Sequence, residues 1–326
     1  MRIAIGIPTL GRAPIVLETL AELRRQTRPA DRIIVCYARE NDVPPRDRRP
    51  PDVEWLPSDP GSCRQRNSII DHVTDCEMLL FLDDDFVPRA DYLAVMERLF
   101  AERPGVVVAT GTVLADGARG SGISFAEARD IIARDQASSE PMEVATTANG
   151  YGCNMAVRLS VLHGTGLRFD ESLPLYAWQE DAELSCRLGT HGAVVRIGGA
   201  RGVHLGVKMG RSPGLQLGYS QVINPLYIAR RVPSYTMRRA VAQIGRNLAA
   251  NLVHALRPEP WIDRRGRLRG NLIGLVDAIR GRLAPDRVLS LGHLARRADV
   301  MPALGLGGGA AAIEDRPGRY QRVPPR

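Results

Sequence analysis

The chain has 326 residues, 44% of them apolar, and a net charge of +8, which excludes a disordered polyelectrolyte and leaves ample core for one large domain or two smaller ones. The charge is divided: residues 1–199 carry 22 Lys/Arg against 29 Asp/Glu, whereas residues 200–326 carry 22 against 7, and Lys208 is the only lysine. Five scattered cysteines with no C-x-x-C pair exclude a disulfide framework and a zinc site.

Residues 2–8 read as a short strand, 9–14 as a turn, and Ile15, Val16, Leu20 and Leu23 recur at helical spacing. Strands are predicted at 32–36 and 53–56, on either side of a Pro-, Asp- and Arg-rich loop over 41–52. Gly61 through Val73 is a loop entering a helix. Met78–Leu82 is an unbroken apolar run, the mark of a strand buried on both faces. A helix follows over 91–103 and a strand at 106–110. Phe125, Ala128, Ile131 and Ile132 share one face of a helix over 125–137. Residues 146–153 form a polar, Gly-rich loop, and 156–163 read as helical. Residues 175–188 enter another helix at its acidic end, and strands are predicted at 194–197 and 202–206. From 219 to about 298 the pattern is helical and Arg-rich, and the tail from 302 has a disordered composition. There is no internal repeat. Strands alternating with helices predict an α/β fold with a mostly parallel central sheet flanked by helices.

The run 78–82 ends in Asp83-Asp84-Asp85. In open α/β sheets that edge is where ligands bind. Adjacent carboxylates repel, and a divalent cation removes the conflict; hard oxygen ligands suit Mg2+ or Mn2+, which also hold substrate phosphates. The plainer alternative is a solvated acidic turn ahead of the helix near Asp91. Three more features lie at strand ends or helix starts, where N–H groups and side chains converge on phosphorylated ligands: Pro8-Thr9, Gly61 with Arg64, Arg66 and Asn67, and Glu180-Asp181.

In this order and spacing the chain resembles family-2 glycosyltransferases of the GT-A fold, over residues 3 to about 206. Ile7-Pro8-Thr9-Leu10-Gly11-Arg12 resembles that family's first strand and turn, and Gly61-Ser62-Cys63-Arg64-Gln65-Arg66-Asn67 its G-x-x-x-x-R-N segment. Phe81-Leu82-Asp83-Asp84-Asp85 resembles its D-x-D strand end. Trp178-Gln179-Glu180-Asp181-Ala182-Glu183-Leu184-Ser185-Cys186-Arg187-Leu188 resembles its E-D-x-x-L-x-x-R-L segment. The resemblance implies a GT-A catalytic domain over 1–218, a basic helical extension over 219–300 and a tail over 301–326. It implies transfer of a sugar from a nucleotide-diphosphate donor to a hydroxyl acceptor with inversion, in bacterial cell-surface polysaccharide or glycolipid synthesis.

It also implies residue roles. Asp85 is the metal ligand, and His204 completes the metal shell. Pro8, Thr9 and Asp83 contact the donor, and Asp84, pointing the other way on an extended chain, has a weaker part. Arg66 contacts the diphosphate or base, with a surface ion pair as the alternative, and Asn67 orients its loop. Asp181 is the base that takes the acceptor's proton, with Glu180 beside it; the alternative is that both acids only complement the helix dipole. Gly152, Cys153 and Asn154 resemble the acceptor-side loop, and Trp178 stacks on a sugar or packs. Glu183 is a solvated helix residue. One position departs from the family: its base-binding Asp after the second strand falls near Tyr37, so Glu40 or Asp42 substitutes for it, or Tyr37 stacks on the base.

In the extension, Tyr219, Val222, Ile223, Leu226 and Tyr227, then Val241, Ile244, Leu248 and Leu252, recur at helical spacing with Arg residues interleaved. Such helices either lie peripherally on an anionic membrane, which would suit a lipid-linked rather than a free saccharide acceptor, or cap the catalytic domain. With no apolar run near ~18 residues and no leader-like start, a cytoplasmic protein is expected, peripheral at the inner face of the plasma membrane if the helices bind lipid. The competing functions are a sugar-phosphate nucleotidyltransferase, for which the loop after the first strand is poor in Gly, and a non-catalytic nucleotide or polyanion binder. No G-x-G-x-x-G follows the first strand, which disfavours a dinucleotide enzyme, and no nucleic-acid-binding module is recognisable.

Overall fold

The computed structural model describes residues 1–135 and 143–292. In chain order the elements are β1 (Ile3–Thr9), α1 (Ala13–Leu23), β2 (Arg32–Tyr37), β3 (Glu54–Pro57), α2 (Ser62–His72), β4 (Met78–Leu82), β5 (Phe86–Pro88) and α3 (Tyr92–Glu102). Next come β6 (Val106–Asp116), α4 (Phe125–Asp135), β7 (Val144–Thr146), β8 (Asn154–Arg158), α5 (Leu159–Thr165), α6 (Glu180–Leu188) and β9 (Ala193–His204). The chain then turns helical in α7 (Gly214–Arg231), α8 (Met237–Leu256) and α9 (Arg264–Ile279). The tail over 301–326, the last turn of the helix expected to 137, and the end of the helical stretch expected to 298 lie outside the described residues.

Among the described residues nine strands form one sheet in the order β3-β2-β1-β4-β8-β6-β9-β5, with β7 also on β9. The first four are parallel, as alternating strands and helices require. Beyond β4 the sheet is mixed: β8 runs antiparallel between β4 and β6, β9 is parallel to β6, and β5 and β7 are antiparallel to β9. All five residues of β4 are buried because β1 and β8 flank it and both faces are covered. Leu79 and Phe81 point into one apolar layer, and Met78, Leu80 and Leu82 into the other.

The helix expected over 156–163 begins only at Leu159. Residues 154–158 are instead a central strand, since a short apolar run does not by its periodicity separate helix from strand. The two strands expected at 194–197 and 202–206 are one, β9, whose Gly198, Gly199 and Gly202 interrupt the apolar pattern without ending the strand.

Backbone contact joins α7 to α9. A Cβ on Gly218 would overlap the Arg267 carbonyl, and one on Gly270 would overlap the Leu215 carbonyl. Between these helices and α8, Asn251 Nδ2 donates to Gln221 Oε1 and to Asn271 Oδ1 (both 2.9 Å), and Asn271 Nδ2 donates to Gly218 O (2.7 Å). Gly218→Ala is therefore expected to cost ~1–3 kcal/mol by forcing the helices apart. Gly245→Ala, on α8 with no neighbouring atom within 4 Å, is expected to stabilise by up to about 1 kcal/mol. Denaturant melts of the two variants check the pair of opposite signs.

Candidate active site

The carboxylates after β4 divide their work. Asp84 is buried; one oxygen accepts from Thr9 Oγ1 (2.6 Å) and the other from Arg12 Nη1 (2.7 Å). Its backbone carbonyl accepts from Thr19 Oγ1 (2.6 Å). Asp84 thus ties the β4 edge to β1 and α1, with both carboxylate oxygens engaged. The Thr9 hydroxyl is spent on the same bond, while Pro8 stands half-buried in β1.

Asp83 and Asp85 face a different group. One ligand atom from each of Asp83, Asp85 and His204 lies within 4.8 Å of the others. Asp85 Oδ2 accepts from Val207 N (2.7 Å), but its buried Oδ1 has no hydrogen-bond partner and stands 3.4 Å from His204 Nε2. Asp83 Oδ2 lies 3.8 Å from the same nitrogen. The other ring nitrogen, Nδ1, bonds Asp116 Oδ1 at 2.8 Å. That bond makes Nδ1 the donor and aims Nε2 at the two aspartates, the arrangement in which an outer carboxylate orients a metal-binding histidine. Burial alone would lower the pKa of His204, but Asp116, Asp85 and Asp83 outweigh it and push it up to about 10. A site that holds a proton this firmly among carboxylates has the donor set for a hard divalent cation, whose binding releases that proton. The residues fit the ion expected from the sequence.

Asp116 was not foreseen. It accepts from the backbone N–H of Ala118 (2.9 Å) and from the Tyr151 hydroxyl (3.0 Å), and His204 with these partners holds it down at about 2 against the effect of burial. The Tyr151 ring stands edge-on to His204. Asp116→Asn keeps the shape but loses the charge that orients His204. It is expected to weaken Mn2+ binding about 10- to 100-fold, read by titration of the Mn2+ electron-spin resonance signal.

Arg66 is neither exposed nor free. It is 3% exposed, pairs with Glu180 and with Asp83 (3.3 Å), and donates to Gly152 O (3.2 Å) and Ser62 Oγ (3.1 Å). Both readings given to it, a diphosphate contact and a surface ion pair, yield to a buried hub that joins the β4 edge to α6. Gly152 is the second joint: its N–H donates to Asp181 Oδ2 (3.0 Å). A Cβ on it would stand 3.4 Å from Arg66 Nη2, 3.5 Å from Asp181 Oδ2 and 3.6 Å from Glu180 Oε1. Asp83, Asp181 and Glu180 therefore gather around Arg66 and Gly152. Burial pushes Glu180 up to about 8 despite Arg66. Burial also raises Asp181, against the N–H groups of Gly152 and Ala182 and the charge of Arg66.

The approach to α6 is strained. Leu175, Ala177 and Gln179 all have positive φ (60°, 53° and 76°), which for non-glycine residues costs on the order of 1–3 kcal/mol each. The surroundings fix it. Ser62 N donates to Leu175 O (2.9 Å), Asn224 Nδ2 of α7 to Trp178 O (3.0 Å), and the Tyr235 hydroxyl to Gln179 Oε1 (2.6 Å). Trp178 is half-buried and lies tilted against Tyr176 (6.3 Å).

The other expected residues are spread around this centre. Asn67 is buried and bonds both backbone groups of Phe169 and the carboxylate of Glu171, so it holds the 169–171 loop. Asn154 is fully buried, with its Oδ1 bonded to Thr110 and its Nδ2 without a hydrogen-bond partner among the described residues. Glu183 is buried against Arg187, not solvated. Asp42 is buried too, accepting from the N–H groups of Gly11 and Arg39. Tyr37 is buried, with Arg49 over one face of its ring (5.2 Å), so the ring is not exposed for stacking on a base. Glu40 is 57% exposed and paired with Arg46 and Arg49.

On the opposite side, Lys208 Nζ and Arg211 Nη1 converge on Ala118 O (3.5 and 3.4 Å). Arg267 of α9 adds its charge, with a buried Nε that lacks a hydrogen-bond partner. Among the described residues, these three cations make no ion pair.

No protein-family model and no curated protein matches the sequence. Solved structures do. A mannosyltransferase of Pyrobaculum calidifontis, in complex with GDP-Man and Mn2+, matches 91% of this chain and 87% of its own at 17% identity and a TM-score of 0.51. GalNAc-T7, with UDP, GalNAc and Mn2+, matches 84% of this chain but 55% of its own at 11% identity and a TM-score of 0.50. Residues 1–349 of Staphylococcus aureus TarS, in complex with UDP, match 62% of this chain and 59% of that one at 15% identity and a TM-score of 0.44. This chain thus spans little more than half of the last two. Its mixed sheet flanked by helices is the GT-A glycosyltransferase fold.

Proposed function

From the GT-A fold, we propose that the protein transfers a sugar from a nucleoside-diphosphate donor to a hydroxyl of a saccharide or lipid-linked acceptor, with inversion, in the assembly of a cell-surface polysaccharide or glycolipid. The observation that supports the proposal is the set of contacts through Arg66 and Gly152, in which Arg66 pairs with Asp83 and Glu180 and Gly152 bonds both Arg66 and Asp181. Asp85 and His204, with Asp83, would hold a divalent cation, which supplies positive charge to the departing diphosphate. Mn2+ is the probe of choice because two solved structures of this fold hold it with a nucleotide or nucleotide sugar. Lys208, Arg211 and Arg267, which make no ion pair among the described residues, carry positive charge suited to the same phosphates.

Asp181 acts as the base. Its Oδ2 is aligned by the Gly152 N–H, and burial raises its affinity for a proton. Glu180 keeps Arg66 in place beside it. Trp178 and Gly152 border the acceptor side, and Glu40 borders the base end of the donor.

The test is a panel of nucleotide sugars, screened for Mn2+-dependent thermal protection and then for turnover. Release of a nucleoside diphosphate with a glycosylated product is expected. Pyrophosphate release from a nucleoside triphosphate and a sugar phosphate would instead identify a nucleotidyltransferase.

A further inference from the structure

Among the described residues, the exposed sides of α8 and α9 carry apolar groups that neither the fold nor the site accounts for. In α8, Val241, Leu252, Val253 and Leu256 face outward, with Val253 65% and Leu256 83% exposed. In α9, Leu272, Val276 and Ile279 do the same, Ile279 being 86% exposed. Water-exposed leucine, isoleucine and valine at helical spacing, opposite a buried face of Ala240, Ile244 and Asn251, make α8 amphipathic in an inverted sense. Its buried side carries an asparagine beside Ala240 and Ile244, and its exposed side two leucines and two valines. Scattered apolar residues are normal on a surface, but repeated turns of them on neighbouring helices mark an interaction site.

The charge on the same helices narrows the partner. α8 contains no acidic residue. The single acid of α9, Asp277, is buried against Tyr219 and Arg287. Arg238, Arg246 and Arg257 accompany the apolar residues of α8, and Arg265, Arg269 and Arg280 those of α9. All six are exposed, and none makes an ion pair among the described residues. A second copy of the chain would set arginine against arginine, so self-association is disfavoured by charge. A nucleic acid would satisfy the arginines and leave Leu256 and Ile279 in water.

We propose that this face docks peripherally on an anionic lipid surface, with Leu256, Ile279 and their neighbours entering the headgroup–acyl boundary and the arginines meeting lipid phosphates. Both halves of the pattern are then satisfied at once. No helix among the described residues is long and apolar enough to cross a membrane, so the contact is interfacial. The docking does not depend on glycosyl transfer. The helices that carry this face are tied to the segment ahead of Asp181, because α7, packed on α9, holds that segment through Asn224.

The test is co-sedimentation of the full chain with vesicles, either of phosphatidylcholine alone or with 30% (about a third) phosphatidylglycerol. Binding to the anionic vesicles is expected to be at least about tenfold tighter, with part of it surviving 0.5 M (roughly half-molar) salt because of the apolar insertion. The double variant Leu256→Glu, Ile279→Glu changes side chains that are almost wholly in water, so its melting temperature should match the parent's. It is expected to lose vesicle binding about tenfold or more. Equal binding to neutral vesicles would overturn the proposal. So would full vesicle binding by the double variant with loss on Arg246→Gln, Arg257→Gln, which is the result for a partner that reads only charge, such as a nucleic acid or an acidic protein. Failure of the sugar-transfer assay alongside normal vesicle binding would count against the proposed reaction alone.

Discussion

Replacing Asp181 with Asn is expected to lower turnover by about a hundredfold to ten-thousandfold while leaving the affinity for donor with Mn2+ within about twofold. The reasoning is geometric. The Asn side chain keeps an oxygen that can accept from Gly152 N–H, so the link to Gly152 survives, at the cost of the bond that the second carboxylate oxygen accepts from Ala182 N–H. What is lost is the capacity to take a proton. The pH profile carries the same information. Burial raises the Asp181 pKa, and a base must be ionised to act. Turnover in the parent should therefore fall as pH drops through a value above the ordinary aspartate figure of about 3.9. Competition binding of a nucleoside diphosphate, beside single-turnover sugar transfer, separates the two effects. Undiminished transfer by the variant would remove Asp181 from the chemistry.

Asp85→Asn is expected to have a comparable effect by another route, weakening Mn2+ binding by more than about a hundredfold and turnover with it. The orphaned Oδ1 of Asp85 is the atom at stake. It is buried, has no hydrogen-bond partner, and stands across from His204 Nε2. A buried carboxylate oxygen with no hydrogen bond, facing only the His204 ring nitrogen, is costly, and a cation is the occupant that Asp85, Asp83 and His204 are chemically fitted to share. Removing metal with a chelator should abolish turnover in the parent, and Mn2+ should restore it. In the Asp85→Asn variant restoration should need far more Mn2+. Equal restoration in both would place the cation elsewhere. Thermal stability is a useful control, because the Asp84 network that ties β4 to β1 is untouched by this change.

Much of this site can be read from the chain because its parts are local. The apolar run 78–82 names the central strand, and the aspartates that follow must emerge at its end. The helix start at Glu180 is likewise visible in its own sequence. Residue roles that depend on pairing between distant strands cannot be read this way. Asp116 is the clearest case: it sits opposite His204 in the register of β6 on β9, at the ends of two strands that each look half their true length. Gly111, pressed against the Ala200 carbonyl and the Tyr92 hydroxyl, breaks the apolar pattern of β6 and hides its last five residues. Arg66 shows the other limit. A guanidinium in a polar segment suggests a ligand contact, and only the packing of α2 against α6 and the 150–152 loop shows it surrounded by carboxylates and a carbonyl. The strain at Leu175, Ala177 and Gln179 is invisible for a similar reason: their backbone is imposed by partners on α2, α7 and the turn at Tyr235.

The most direct measurement is the position of manganese in crystals grown with Mn2+ and a non-hydrolysable nucleotide sugar, located by anomalous scattering. The account predicts a single strong peak bounded by Asp85, His204 and Asp83, with the sugar's anomeric carbon turned toward Asp181. A peak away from those three residues, or a sugar bound where Asp181 does not face it, would contradict it.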